Sequence, residues 1–445
     1  SVSSLRFIVD WVFIACSTWI FGRAVNRLVM QRYASVGNYV QVVLWAFCCL
    51  PIALDYLVGQ PQYLTVYWYM PFIEPMSNNE VSVFYDALLL ASMAVLDVYC
   101  RYAQGKQVFQ EKRWNTVLGA SKVISAIAVV LPFVYVVVSG LAPYYLVYGD
   151  PQTRGMPSGS SSMVTWLLLI SCIAFSQRFF AKQRIIFTDW LVLAAYFAAA
   201  AWLSGKRFMI ALLLVVMLFF YLRRDLAARK RRLLKTLLPF IAVALVGFSA
   251  FYLVGVRPLS DTGFDSVYEM LRVDFGRDDV TKYSLYHELF LGDHILEYPG
   301  ETFASTFLVL VPRELWPAKP FMHYQYLTSS ILGLPISQLP AGTTPSWFDM
   351  CICNFGVIGC VVAVFGLLAL VFLTDRMRST SAKAVCLLLV FALLTQSIVA
   401  YISLAVLLPV LIIAGMDSGV VVGRRSVHLV ATRSGRYRRV EHADS

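Results

Sequence analysis

Apolar runs of about twenty residues recur along this sequence, and they constrain its fold more than any other feature. A helix of that length matches the hydrocarbon thickness of a bilayer, and a backbone in lipid must satisfy its own hydrogen bonds. The runs are continuous rather than alternating, which disfavours a barrel. Of the 445 residues, 59% are hydrophobic and 14% are charged, whereas soluble domains are about half apolar and a quarter charged. The sequence therefore predicts an all-α polytopic membrane protein.

Eleven membrane spans are predicted. The first nine lie at residues 5–22, 39–57, 81–99, 123–147, 163–180, 186–204, 208–222, 237–256 and 348–374. The last apolar stretch, 385–416, is too long for one ordinary helix. As two short helices that turn near residues 396–403, it returns the arginine-rich tail to the side of the membrane where basic residues accumulate, which a single helix would not do.

Lysine and arginine residues concentrate in alternate connections between these spans, as they do in cytoplasmic loops. This pattern predicts an extracytoplasmic N-terminus and four parts. Residues 1–256 hold eight transmembrane helices, 257–346 form a large extracytoplasmic loop, 347–416 hold the last three helices, and 417–445 are a basic cytoplasmic tail. The formal net charge of +11 is spread over several connections, so it does not indicate a nucleic-acid-binding face.

Two cations interrupt the charge pattern in the turn Ser204-Gly205-Lys206-Arg207, on the predicted outer surface. Long basic side chains can reach the interface simply by snorkelling. The alternative is a site for an anionic lipid headgroup, because a glycine turn at a helix N-terminus offers free amide groups and arginine adds a bidentate fork for phosphate. Both interpretations stay open for Lys206 and Arg207.

The long loop begins with apolar residues at helical spacing between 261 and 291, interrupted at Gly276. This spacing predicts two short amphipathic helices that lie on the membrane surface. Their polar faces carry a mixture of cations, carboxylates and imidazoles: Arg272, Arg277, Asp278, Asp279, Lys282, His287 and Glu288. These side chains form either a solvated face with weak ion pairs or a reaction site that faces the lipid headgroups.

The second half of the loop is more rigid. Residues 302–311 are apolar but too short to span a bilayer, so they indicate a re-entrant or interfacial piece. Prolines in the stretch 312–320 fix a non-helical backbone that holds Arg313 and Lys319 in place. The chain has no phosphate-binding glycine loop, nucleophile elbow or His-Glu-x-x-His motif, and its nine cysteines lack metal-ligand spacing, so no metal site is predicted.

Several sequence patches carry a resemblance to a known family. They are Val-Pro-Arg-Glu-Leu-Trp-Pro-Ala-Lys-Pro at 311–320, Tyr-Pro-Gly-Glu-Thr at 298–302 and Asn-Phe-Gly-Val-Ile-Gly at 354–359, with a weaker likeness at 204–207 and 55–61. Together they resemble the bacterial Wzy-type O-antigen or oligosaccharide repeat-unit polymerases, which are related to the O-antigen ligases. The resemblance covers most of the chain in layout but only these patches in sequence.

The resemblance implies a GT-C-like membrane glycosyltransferase in the bacterial inner membrane. Such an enzyme lengthens undecaprenyl-diphosphate-linked glycans at the outer, periplasmic face. It uses lipid-linked oligosaccharides as both donor and acceptor, and it needs no nucleotide sugar, metal or other cofactor. A chain-length regulator is a further expected partner, and no nucleic acid is expected.

Glycosyl transfer from a diphosphate lipid needs cations for the leaving diphosphate and a base for the acceptor hydroxyl. The cations expected at the diphosphate are Lys206, Arg207, Arg272, Arg277, Arg313 and Lys319. The candidates for the base are Asp278, Asp279, His287 and His294. By position, Arg207 and Arg313 match arginines of the family, and either Arg272 or Arg277 matches a third. Many members carry an acidic residue and a tyrosine just before Asn-Phe-Gly, whereas this chain has Asp349 one place earlier, so that acidic role is not carried over.

Three other functions fit the same sequence. An O-antigen ligase performs the same transfer with a lipid A core as the acceptor. A transporter or flippase for lipid-linked oligosaccharides predicts internal repeats and charged residues near the bilayer midplane, and the sequence has no convincing repeat. A non-catalytic assembly partner predicts a loop that tolerates the loss of its charges.

Overall fold

A computed structural model describes residues 3–64, 66–105, 122–256, 263–308, 311, 314–339, 342–377, 380–395, 428–431 and 437–440. Its helices, in chain order, are α1 (Ser4–Met30), α2 (Val36–Leu57), α3 (Ile73–Ser77), α4 (Asn79–Gly105), α5 (Lys122–Val138), α6 (Ser158–Ala181), α7 (Phe187–Ser204), α8 (Arg207–Leu222), α9 (Ala228–Phe251), α10 (Phe264–Phe275), α11 (Asp278–Leu285), α12 (Glu301–Phe307), α13 (His323–Leu332), α14 (Trp347–Asp375) and α15 (Thr380–Thr395). In the C-terminal tail, strands β1 (His428–Ala431) and β2 (Tyr437–Val440) pair antiparallel.

Within these ranges, seven helices are long and apolar enough to cross a membrane: α1, α2, α4, α6, α7, α9 and α14. Three shorter apolar helices, α5, α8 and α15, lie at three further predicted spans. These helices support the prediction of a helical, polytopic membrane protein. The count of eleven stays a prediction, because residues 396–416 lie outside the described residues.

Helix α5 is shorter than the span predicted at 123–147. It ends at Val138, and the chain turns at Gly140, whose φ of +67° is a left-handed conformation that glycine adopts without strain. The connection that follows is held by Arg154, whose guanidinium donates to the carbonyl oxygens of Tyr144 and Val147 at 2.6 and 2.5 Å. The last residues of the predicted span therefore belong to this connection.

Charged contacts close the two ends of the bundle in different ways. At one end the buried Asp97 of α4 pairs with three arginines, Arg23, Arg27 and Arg101. At the same end Asp375 of α14 accepts the backbone N–H of Val36 at 2.8 Å and so caps α2. At the opposite end Arg6 donates to the carbonyl oxygen of Met76 at 3.1 Å, which ties the start of α1 to α3.

Helix α14 is two antiparallel arms rather than one straight span. At Gly356 the backbone has φ 55° and ψ −130°, which is not a helical conformation. Trp347 Nε1 donates to the carbonyl oxygen of Ala363 at 2.8 Å although they are 16 residues apart, a separation that spans about 24 Å in a straight helix. Residues 347–355 therefore fold back on the residues that follow Gly356.

Glycines let the two arms of α14 approach each other. A Cβ on Gly359 would lie 2.1 Å from the carbonyl oxygen of Cys351, and a Cβ on Gly366 would lie 2.7 Å from the Trp347 ring. The predicted span at 348–374 is thus corrected to a buried first arm and a shorter membrane helix. The glycines are visible in the sequence. The reversal of the chain is not, because it depends on the positive φ of Gly356.

Replacing Gly359 with Ala is expected to destabilise the protein by about 1–3 kcal/mol, because the new methyl group meets a backbone oxygen that cannot rotate away. Gly247→Ala in α9 is the matched control, since a Cβ there would have no atom within 4 Å. Thermal unfolding in detergent measures both variants. Equal midpoints for the two variants would contradict the reversal of α14.

Candidate functional site

Helix α11 lies in the interior of the protein. All of its eight residues are buried, and it packs against α3, α4, α14 and the π-helical turn of α2 at Trp45–Cys49. Val280 and Tyr283 join a small apolar core with Tyr63, while Leu285 joins the main core. This corrects the prediction of a helix on the membrane surface. Its two aspartates pair with Arg272, and the Lys282 ammonium lies 5.2 Å from the centre of the Tyr85 ring, so its charged residues are held inside the fold rather than solvated.

Arg272 of α10 is the centre of a charge cluster at the start of α11. Its side chain is 0% exposed, and five hydrogen bonds use all of its guanidinium N–H groups. Two go to Asp55 at 2.8 and 2.9 Å, two to Asp278 at 2.9 and 2.7 Å, and one to Asp279 at 3.4 Å. Burial alone would lower the pKa of Arg272, but the three carboxylates raise it well above its usual value. In this arrangement Arg272 has no donor left for a diphosphate.

Asp279 is the least satisfied carboxylate of this cluster. Its Oδ1 accepts the Tyr63 hydroxyl at 3.1 Å, while its Oδ2 is buried and has no hydrogen-bond partner in the part of the chain that the structure describes. Burial and the charge of Asp278 raise the pKa of Asp279 to about 7. Tyr63 has a φ of +57°, which is a strained conformation for a non-glycine residue. Asp279 is thus shielded from a large substrate, and its surroundings favour the neutral carboxyl form more than water does.

Arg277 is also used inside the fold. Its Nε and Nη2 donate to the carbonyl oxygen of Thr395 at 2.9 and 2.7 Å, and its Nη1 donates to the carbonyl oxygens of Asp274 and Gly276. Its backbone N–H donates to the carbonyl oxygen of Phe47 at 2.9 Å. Through these contacts Arg277 links the connection between α9 and α14 to α15 and α2.

His294 is the most exposed of the four predicted bases. Its side chain is 72% exposed, and its Nδ1 lies 2.8 Å from Oε2 of Glu288, whose side chain is 3% exposed. The other oxygen of Glu288 accepts the backbone N–H of Ile295 at 2.8 Å. The hydrogen bond and charge of Glu288 raise the pKa of His294 above its usual value. An exposed imidazole oriented by a buried carboxylate is suited to general-base catalysis.

The local chain path brings this histidine to its partner. Glu288 lies in the π-helical turn Tyr286–Leu291 that continues α11. Gly292 then adopts a left-handed φ of +69°, and the N–H of Asp293 donates to the carbonyl oxygen of His287 at 2.9 Å. This reversal sets the imidazole against Glu288, so the pair stands on a buried scaffold.

His287 has a weaker partner than His294. Its Nδ1 lies 3.3 Å from Asp293, whose side chain is 75% exposed. Its ring lies 4.3 Å, centroid to centroid, from the ring of Tyr283. His287 is therefore mainly a packed aromatic neighbour of α11.

A buried histidine–aspartate pair was missed by the sequence interpretation. His323 Nε2 lies 3.1 Å from Oδ2 of Asp349, and the two side chains are 4% and 0% exposed. The other oxygen of Asp349 accepts the backbone N–H of Ser346 at 2.6 Å and also its hydroxyl. Nδ1 of His323 has no hydrogen-bond partner among the described residues. The signal was the acidic residue near Asn-Phe-Gly, which stands here one place from the family pattern.

The 204–207 turn packs into a neighbouring connection. Gly205 has a φ of +61°, and a Cβ there would lie 2.1 Å from the carbonyl oxygen of Gly149, so the turn requires glycine. The Gly205 carbonyl oxygen accepts the Tyr252 hydroxyl at 3.1 Å. The ammonium of Lys206 lies 3.7 Å from Asp150. Arg207 begins α8, and its side chain lies outside the described part of the structure.

Residues 314–320 of the proline-rich stretch form tight turns. Lys319 is buried, its ammonium donates to the carbonyl oxygen of Val311 at 2.9 Å, and its backbone N–H donates to the carbonyl oxygen of Trp316 at 3.0 Å. Arg313, the other predicted cation of this stretch, lies outside the described residues. The backbone here is irregular because proline cannot continue a helix.

The fold and this site define a helical, multi-pass membrane protein with a buried charge cluster and, in the same long connection, an exposed histidine held by a buried glutamate. No family model, no curated protein and no solved structure matches the chain. In the described ranges, no group of three or more His, Cys, Asp and Glu side chains could hold a metal ion. The functional assignment therefore rests on the residues themselves.

Proposed function

We propose that this chain polymerises undecaprenyl-diphosphate-linked oligosaccharide repeat units into a surface polysaccharide such as O-antigen, capsule or exopolysaccharide. The reaction is a metal-independent glycosyl transfer at the outer face of the bacterial inner membrane. The observation that carries the proposal is the exposed His294 held by the buried Glu288. This pair lies in the same connection, between α9 and α14, as two of the patches that resemble the Wzy-type polymerases, 298–302 and 311–320.

His294 accepts the proton of the acceptor hydroxyl in this proposal. When Nδ1–H donates to Glu288, Nε2 carries the free lone pair that acts as the base. Glu288 fixes this tautomer and stabilises the imidazolium that forms. The bond between the anomeric carbon of the donor and its diphosphate breaks, and that carbon bonds to the acceptor oxygen.

Fixed cations offset the charge of the leaving diphosphate without a metal. The residues proposed for this role are Lys206, Arg207 and Arg313. Arg272, Arg277 and Lys319 are removed from the set, because their charged groups are buried on carboxylates and carbonyl oxygens.

The proposed function also includes a membrane topology and a set of partners. The topology has eleven spans in a GT-C-like arrangement, with the site on the periplasmic side. Lipid-linked oligosaccharides are both donor and acceptor, and a chain-length regulator is the protein partner.

A direct test uses the lipid-linked repeat units that accumulate when the gene is deleted. The purified full-length chain in liposomes is expected to convert them into lipid-linked chains that grow by one repeat unit, without nucleotide sugar and in the presence of EDTA. Gel electrophoresis and mass spectrometry measure the chain length. Transfer that requires an added lipid A core would identify the alternative, an O-antigen ligase, and unchanged glycans in every case would contradict both assignments.

A transporter or flippase for lipid-linked oligosaccharides is the second candidate, and buried charges inside the bundle favour it. Asp86 of α4 is 1% exposed, and its carboxylate oxygens have no hydrogen-bond partner in the chain as far as it is described. Its charged neighbours include Lys282 of α11 and Asp10 of α1. Ionisable groups inside a membrane are costly and often mark a transport path. Movement of the lipid-linked units across the liposome bilayer without lengthening would select this function.

A further inference from the structure

Three guanidinium groups share one carboxylate at the end of the bundle where α1 finishes. Arg27 and Arg101 bond to Asp97, and Arg23 lies 3.3 Å from it. The Lys235 ammonium adds a further cation nearby, since it donates to the Asn26 side chain at 2.9 Å. This cluster keeps an excess of positive charge, so it favours a further anion.

A groove of about 700 Å³ runs along α1 beside this cluster. Its polar end is lined by Arg23, Asn26, Arg27 and Gln31, and the rest is lined by Ala15, Thr18, Trp19 and Gly22. Trp19 is 70% exposed, and no atom lies within 4 Å of the place where a Cβ of Gly22 would stand. The groove therefore has a cationic end, and the rest of its length along the membrane-spanning helix α1 is largely apolar.

We propose that this groove binds an anionic phospholipid of the bilayer. The lipid phosphate lies at Arg23 and Asn26, and an acyl chain follows the face of Trp19 and Gly22. In a bilayer, the charged headgroup of a phospholipid lies near the end of a membrane helix, and its acyl chains lie along the helix. The groove has the same order, because its charged residues lie at the end of α1 and its apolar residues lie along the helix. Basic residues clustered at the cytoplasmic side of membrane helices bind such headgroups, and arginine offers a paired donor to phosphate. The proposal is independent of the reaction proposed above.

Native mass spectrometry of the purified full-length chain in neutral detergent tests this site. Phosphatidylglycerol is expected to stay bound under conditions that remove phosphatidylcholine. Arg23→Gln is expected to weaken phosphatidylglycerol binding about fivefold, the effect of one cation near an anionic surface. Gly22→Leu keeps every charge but fills the groove, and it is expected to weaken binding to a similar extent.

Arg101→Gln is the matched control, because Arg101 pairs with the same Asp97 but does not line the groove. It is expected to retain phosphatidylglycerol better than Arg23→Gln. Equal loss in the two arginine variants would indicate general charge attraction and overturn the site. Equal binding of the two lipids, or unchanged binding in Gly22→Leu, would overturn it as well. Displacement by an equal concentration of inorganic phosphate would identify a phosphate site instead of a lipid site.

Discussion

Replacing Arg272 with Gln is expected to destabilise the folded protein by about 3–5 kcal/mol, the cost of breaking a buried charge cluster by removing one partner. The three carboxylates Asp55, Asp278 and Asp279 would lose the five charge-assisted hydrogen bonds that now reach them. Glutamine has a single amide donor group and no charge. The remaining carboxylates must then take up protons or draw water into the core.

A thiol-reactive dye can measure this loss in detergent. All nine cysteines lie in the described residues and are free, and every one except Cys16 is buried, so dye labelling reports unfolding. Arg229→Gln, at an exposed position of α9, is the control and is expected to change stability by less than about 0.5 kcal/mol. If both variants unfold at the same temperature, the Arg272 cluster does not stabilise the packing of α10 and α11 in the protein.

A second substitution separates charge from packing. Asp278→Asn added to Arg272→Gln removes one of the unpaired carboxylates, so it is expected to recover part of the lost stability. Absence of recovery would assign the loss to packing around the guanidinium. The comparison is informative because both side chains are fully buried in the same contact.

Replacing His294 with Gln is expected to slow chain lengthening by about 10²- to 10⁴-fold, the usual contribution of a general base. The side chain is largely exposed, so the protein is expected to keep its unfolding midpoint. Initial rates with the lipid-linked repeat unit in liposomes measure the effect. His287→Gln is the matched control in the same connection. A larger loss in His287→Gln than in His294→Gln would assign the base to His287 instead.

The pH dependence of the rate tests the role of Glu288. General-base catalysis needs neutral imidazole, and Glu288 and Asp293 raise the pKa of His294. The rate is therefore expected to rise with pH through that raised pKa and then to level off. Glu288→Gln removes the main cause of the shift, so the midpoint of the profile is expected to move to lower pH. A profile that does not move would exclude His294 as the titrating base.

The sequence by itself determined where most helices of the membrane part lie, although not the early end of α5 or the reversal at Gly356. The predicted spans 186–204 and 208–222 agree with Phe187–Ser204 and Arg207–Leu222 within one residue at each end. Hydrophobic length is a local property, so a run of about twenty apolar residues predicts a helix without reference to its neighbours. The same reasoning placed a turn at Gly205, whose glycine the packing requires.

Only the tertiary structure decided how the charges of the long connection are used. Arg272 and Asp55 are 217 residues apart in the chain, and no periodicity relates them. The amphipathic pattern of α11 suits a surface helix as well as a buried one, and only its neighbours distinguish the two. His294 meets Glu288 because Gly292 reverses the chain, whereas His323 meets Asp349 from another helix. The composition of a segment shows that it will be buried. Which residue pairs with a buried charge depends on distances in the folded protein, because the interaction between charges falls with distance.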